Sequence, residues 1–273
     1  VKQKDNSLTR GILNAAAGRS KFTLSRFEPA EPLKPFVEHY WVVRYELHHE
    51  EPYTQTVLSY PNVNLAFEHD EAGRRSLLYG IPKRPFEREL CGSGRVLGVK
   101  FRPGGFYPFW KRDVSTLTGA TIQASEVFGS SADTWTNIIL DAGQDAAMAE
   151  QAEIALAARL PERDAQAELA ARIVQEAMNN RDMVKVEQMS QQSGLSIRYL
   201  QRLFRKYIGV SPKWVIKRFR LQEAAERLER ETAAQLTDLA IQLGYFDQAH
   251  FIKDFKSVLG KSPEAYRQSC SIS

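Results

Sequence analysis

Arg198, Gln201, Arg202 and Arg205 lie within GLSIRYLQRLFRKYIGVSP, residues 194–212, at steps of one, three and four. On a helix these spacings put all four on one face. Arginine can grip guanine O6 and N7 with a two-pronged donor, and glutamine can address adenine N6 and N7. The chemistry on offer is recognition of base edges, not bond making. Leu200, Leu203, Phe204 and Tyr207 form the opposite, apolar stripe that would anchor such a helix. A merely solvated charged face is the plainer alternative.

The same pattern recurs. At an offset of 51, Ser196 matches Asp247, Leu200 matches Phe251, Phe204 matches Phe255, Gly209 matches Gly260 and Pro212 matches Pro263. Upstream, VEQMSQQSG matches LTDLAIQLG at an offset of 50, with one extra residue in the second turn. Each copy reads as helix, tight turn, helix, the first helices spanning about 186–192 and 236–243. Gly194 and Gly244 suit the exits of those helices, Ser196 and Asp247 the next N-caps, and Gly209 and Gly260 the stops. Pro212 and Pro263 can open the following helices without losing a hydrogen bond. Between the copies, PKWVIKRFRLQEAAERLERE predicts one helix of about 18 residues, roughly 27 Å long. That is near the roughly 34 Å repeat of B-DNA. Two small units could then read successive grooves on one face of a duplex.

In the second copy Gln248, Ala249, His250 and Lys253 are the expected base contacts, Ala249 through a thymine methyl. Arg205, Lys206, Lys217, Arg218, Arg220 and Lys256 are the expected phosphate contacts, which position a protein but specify little. His250 reads equally as a capping or stacking residue. Phe204, Phe255 and Trp214 read as core.

The segment from Met189 to Arg267 resembles the DNA-binding domain of AraC/XylS-type bacterial transcription regulators. LAIQLGYFDQAHFIKDFKSVLGKSPEAYR carries that family's second-unit pattern: an apolar-Ala-x-x-x-Gly-aromatic turn, an aromatic-rich helix and a closing Gly-x-Ser-Pro. The resemblance implies two helix-turn-helix units placed in adjacent major grooves. It implies base reading by Arg198, Gln201 and Arg202, and by Gln248, Ala249, His250 and Lys253. The second turn departs from the usual pattern, and small Ala249 weakens the readout expected there. HYWVV, LSYPNVNLAFE, LYGIPKRPF and VLGVKFRPGGFYPFW resemble, less specifically, the N-terminal domains of some members. Others of the family have an effector-binding β-barrel and dimerising helices there, and the resemblance tilts towards activation while leaving activator or repressor open.

The elements needed to carry these helices follow from the rest of the chain. Its 273 residues exceed the size at which one core usually divides. Residues 22–120 read as short strands punctuated by Gly and Pro, a barrel-like or sandwich domain. The Ala-rich stretches after it read as helices. The expected organisation is a loose arm or short helix at 1–21, a mainly β sensing or assembly domain at 22–122, a helical connector at 123–166 with dimerisation as a role open to it, and a double helix-turn-helix domain at 167–273. This is an α+β multidomain chain. Residues 168–273 hold 17 Lys and Arg against 12 Asp and Glu, whereas residues 1–167 hold 20 against 21. The basic half is the one expected to meet an anionic partner.

Little points to catalysis. His39, His48, His49 and His69 lack the spacing of a compact zinc site. Cys91 has no visible partner for nucleophilic work, and with Cys270 it makes no disulfide framework, which favours the cytoplasm. FRPGGFYPF lacks the Lys-Ser/Thr of a phosphate loop. It reads as a turn closing the strand domain, or as the border of an effector pocket with Tyr60, Phe106, Tyr107 and Trp110. No apolar run is long enough to span a bilayer, and the basic start has no apolar core of a signal peptide. The reading is a sequence-specific DNA-binding transcription regulator, not an enzyme, with no cofactor and no metal. Its expected partners are double-stranded DNA, a second copy in a homodimer, a small-molecule effector and RNA polymerase. The alternatives are a constitutive regulator whose first domain only dimerises, an N-terminal enzyme fused to a DNA reader, and a protein-interaction module.

Overall fold

The computed structural model describes residues 2–3, 20–48, 51–57, 60–230 and 235–271. Most of the expected arm at 1–21, and His49, lie outside the described residues. Aromatic and β-branched runs become strands because such side chains suit a half-buried pleated surface. They are β1 (Lys2–Gln3), β2 (Phe22–Glu28), β3 (Val37–Leu47), β4 (Tyr53–Val57), β5 (Asn64–Asp70), β6 (Gly73–Tyr79), β7 (Phe86–Leu90), β8 (Gly92–Phe101) and β9 (Thr121–Gln123). Seven form one antiparallel sheet in the order β1-β2-β3-β8-β5-β6-β9, and β4 pairs with β7 in a second. The two sheets do not close into a barrel. Between β6 and β7 runs Gly80-Ile-Pro-Lys-Arg-Pro85, and prolines cannot donate to a ladder.

The large sheet has two different faces. On one, Val42, Leu97 and Phe67 sit opposite one another and are buried. On the other, Glu68 accepts from Tyr79 Oη at 2.6 Å and pairs with Arg75 and Arg88 at 2.6 and 2.8 Å.

After α1 (Tyr107–Trp110) come α2 (Ser125–Phe128), α3 (Ser131–Asp141) and α4 (Asp145–Ala157). The last two pack on the first sheet face, with Ile139, Leu140, Met148 and Ala152 in the same core as its strands. The stretch expected as a connector thus covers the sheet. Then follow α5 (Ala165–Asn179), α6 (Val186–Ser193), α7 (Ile197–Leu203), α8 (Pro212–Arg230), α9 (Leu236–Gln242), α10 (Gln248–Leu259) and α11 (Pro263–Ser271).

The chain does not divide its cores where it divides its sequence patterns. One buried cluster runs from the sheet through α5 (Ile173, Val174) into Leu200, Phe204, Tyr207 and Phe219. The first helix-turn-helix unit therefore shares a core with the β domain. The second has its own, made of Leu221, Leu228, Leu239, Phe251, Phe255, Leu259 and Tyr266.

Candidate nucleic-acid interface

Both candidate reading helices start as their sequences dictate. Ser196 Oγ accepts from the Tyr199 amide at 3.3 Å, and Asp247 Oδ1 from the His250 amide at 2.7 Å. Apolar stripes hold them down: Leu200 and Phe204 are fully buried in one unit, Phe251 and Phe255 in the other. Gly209 and Gly260 end them at φ of 95° and 79°, where a Cβ would be strained. α8 between them has 19 residues, a rod of about 28 Å.

The outward faces hold most of the expected base-reading residues. Arg198, Gln201 and Arg202 are exposed on the first helix, and the Arg202 guanidinium lies 5.0 Å from the Tyr199 ring. On the second, Ala249, His250 and Lys253 are exposed, while Gln248 is half-buried and accepts from Thr237 Oγ1 at 3.0 Å. Phe246 was not among the expected contacts, yet it is 99% exposed beside the Asp247 cap. The GYFD insertion gave the signal: with Asp247 as N-cap and Tyr245 packed on Phe251 at 5.5 Å, the residue between them has no core to enter.

The expected phosphate contacts divide. Lys256 is exposed. Beyond Leu203 the first helix widens into a π turn over Phe204–Ile208, which changes its angular register. Arg205 stays exposed but comes within 3.6 Å of Asp113, and Lys206 lies 5.2 and 5.1 Å from the rings of Tyr107 and Tyr207. Lys217 bonds Asp254 at 2.6 Å, tying α8 to α10.

Arg218 and Arg220 depart from the expectation outright. They are 1% and 2% exposed, so in this arrangement neither reaches a phosphate. The reason is that α8 is enclosed on both sides, by the β domain and by the two units it joins. Arg218 lies 5.4 Å from the Tyr60 ring, and burial lowers its pKa to about 10 against the opposing influence of Tyr60. Arg220 donates to Glu223 and to the Ala177 carbonyl, both at 3.0 Å, and burial lowers its pKa also.

The four aromatics expected to border an effector pocket meet different neighbours. Phe106 is 2% exposed, edge-on to Phe101 at 5.0 Å, with Trp110 stacked on it at 6.5 Å. Tyr107 meets Tyr207 at 4.4 Å, and Tyr60 meets Phe219 at 6.0 Å. FRPGGFYPFW closes the strand domain and then α1 fills the seam against the first unit. Sequence reading missed this seam. Thr118 Oγ1 donates to the Gly209 carbonyl at 2.6 Å and Tyr199 Oη to Gln166 Oε1 at 2.6 Å.

Among the described residues no group of three or more His, Cys, Asp and Glu could hold a metal, and no helix is long and apolar enough to cross a membrane. The paired motifs, caps and polar faces define a tandem helix-turn-helix protein with a distinct N-terminal β domain. Residues 189–269 match the family model described as a helix-turn-helix domain, and residues 25–123 match a domain of unknown function, DUF6597. The transcriptional activator AarP of Providencia stuartii is 37% identical over 91 residues, 33% of this chain and 67% of AarP. An uncharacterised HTH-type transcriptional regulator of Haemophilus influenzae is 36% identical over 87 residues, 32% of this chain and 29% of its own length. The match thus spans under a third of one relative and two thirds of the other. The solved structure of ToxT from Vibrio cholerae aligns over 90% of this chain and 98% of ToxT, at 10% identity and a TM-score of 0.39. The chain belongs to the AraC/XylS family of transcription regulators, with a C-terminal helix-turn-helix DNA-binding domain.

Proposed function

We propose that this regulator reads a specific duplex with α7 and α10 in successive major grooves, and that its β domain governs how the two meet DNA. The observation that carries the reading is the pairing of two capped helices, each with its apolar stripe buried and its polar face outward, on one rigid rod. Arg198, Gln201 and Arg202 read bases from the first helix. Ala249, His250, Lys253 and Gln248 read them from the second. Lys256 and Arg205 hold phosphate, with Lys206 and Lys217 joining them if their present partners release them.

Control by a small molecule or by pairing with a second copy gains support from the shared core. A ligand can act only by favouring one arrangement over another, and a change in the β domain is felt directly by the first unit. Selection of bound duplexes from a random pool tests the reading, with an enriched bipartite site about one helical turn in spacing as the expected outcome. Arg202→Ala should then weaken the selected site by about 1–3 kcal/mol and relax one position. Equal losses on selected and unrelated duplexes at fixed salt would remove Arg202 from base reading.

A further inference from the structure

The register of the large sheet lines up four basic side chains. Arg44 of β3 lies opposite Arg95 of β8, Arg95 opposite His69 of β5, and His69 opposite Arg74 of β6. All four belong to the face that buries Val42, Leu97 and Phe67, one step further towards its open end. Directly opposed residues have Cβ atoms about 4.5–5.5 Å apart, and like charges so placed, as Arg44 and Arg95 are, destabilise a sheet.

Among the described residues, carboxylate hydrogen bonds reach only the ends of this row. Arg44 bonds Asp145 Oδ1 at 2.5 Å and the Gly143 carbonyl at 3.1 Å, and Arg74 bonds Asp141 Oδ1 at 2.6 Å. Those carboxylates flank the corner between α3 and α4. Arg95 stands between the two committed guanidiniums. Its Nε is buried and has no hydrogen-bond partner among the described residues. Burial lowers the pKa of Arg95, Arg44 and Arg74 push the same way, and Asp141 opposes them.

Arg44, His69 and Arg95 line a cleft of about 700 Å³, with Thr23 and Ser93 as hydroxyl donors. Three carboxylates also border it. Asp70 is committed to Arg75 and to the Ala72 amide, and Glu46 and Glu71 are exposed to solvent. What the cleft lacks is an acceptor for the buried Nε of the half-buried Arg95.

We propose that this cleft binds a small oxyanion, a phosphate or carboxylate group seated on Arg95 and His69 between the two arginines tied to the helical corner. The site lies in the β domain and stands whether or not α7 and α10 read bases. Only its meaning as a control point rests on the DNA-reading proposal. An anion there competes with Asp145 for Arg44, so it bears on how the start of α4 is held to the sheet.

Thermal unfolding of the full chain without DNA, titrated at constant ionic strength with inorganic phosphate in one arm and succinate in another, tests this. Whichever anion fits should raise the midpoint by about 2–5 °C at tenfold its dissociation constant. Arg95→Gln should abolish that rise and, by relieving the like-charge row, leave the unliganded protein as stable as the wild type or more so. His69→Gln should weaken the rise, whereas Arg202→Ala should keep it. The proposal is overturned if neither anion acts, if Arg95→Gln keeps the response, or if Arg202→Ala loses it, the last placing the anion on the reading helices. Response to phosphate alone assigns a phosphoryl ligand, and to succinate alone a carboxylate.

Discussion

The sharpest test of the shared core uses the repeat as its own control. Gly209 and Gly260 occupy equivalent positions, both end a candidate reading helix, and both have positive φ, 95° and 79°. Alanine at either should cost about 1–2 kcal/mol in backbone strain. Their surroundings differ. A Cβ on Gly260 would meet only Pro85 Cγ, at an ordinary 3.8 Å, whereas one on Gly209 would come within 2.8 Å of Ile81 Cδ1 and 3.1 Å of Val114. Ile81 is fully buried and cannot swing clear, so overpacking adds about 1–2 kcal/mol. Gly209→Ala should lose about 2–4 kcal/mol and Gly260→Ala about 1–2. Trp110, Trp135 and Trp214 all pack against the larger core, so tryptophan fluorescence during urea unfolding reports on it. The Trp-detected midpoint should fall clearly for Gly209→Ala and hardly move for Gly260→Ala, whose effect belongs in the far-UV circular dichroism of the second unit. Equal Trp-detected shifts, or none for Gly209→Ala, would refute a first unit seated on the β domain.

Phe255→Ala should cost about 3–5 kcal/mol, because Phe255 is fully buried between Phe251 and Tyr266. Amide exchange should speed up over residues 235–271 while residues 165–210 keep their protection. At Glu38, burial alone would raise the carboxyl pKa, but His39 and Lys100 outweigh it and hold it at about 2. A depressed folded pKa lends stability that is whole above the unfolded value near 4.5 and is lost as pH falls towards 2. The stability gap between wild type and Glu38→Gln, on the order of 1–2 kcal/mol once partial exposure is allowed for, should therefore narrow between pH 5 and pH 2 in urea melts; a constant gap would remove the ionised pair as its source.

The two candidate reading helices were legible because everything that sets them is local. A cap, an apolar stripe and a closing glycine act within a dozen residues, and the repeat supplied each signal twice. The strands were legible for the same reason, through β-branched and aromatic runs with Gly and Pro between them. What period alone does not fix is what lies across from a polar residue. Arg218 and Arg220 share a basic run with Lys217 on a helix whose sequence looks amphipathic, yet α8 has neighbours all round. Tyr60 and Ala177, which receive those two guanidiniums, lie far away in sequence and carry no local mark of the role. The aromatic run Phe106–Trp110 misled similarly: its composition suits a pocket wall and a packed seam equally. Only the partners Phe101 and Tyr207 decide between them, and both arrive through tertiary structure. The row of Arg44, Arg95, His69 and Arg74 is the same kind of fact, since four isolated basic residues become one site only when sheet register sets them side by side.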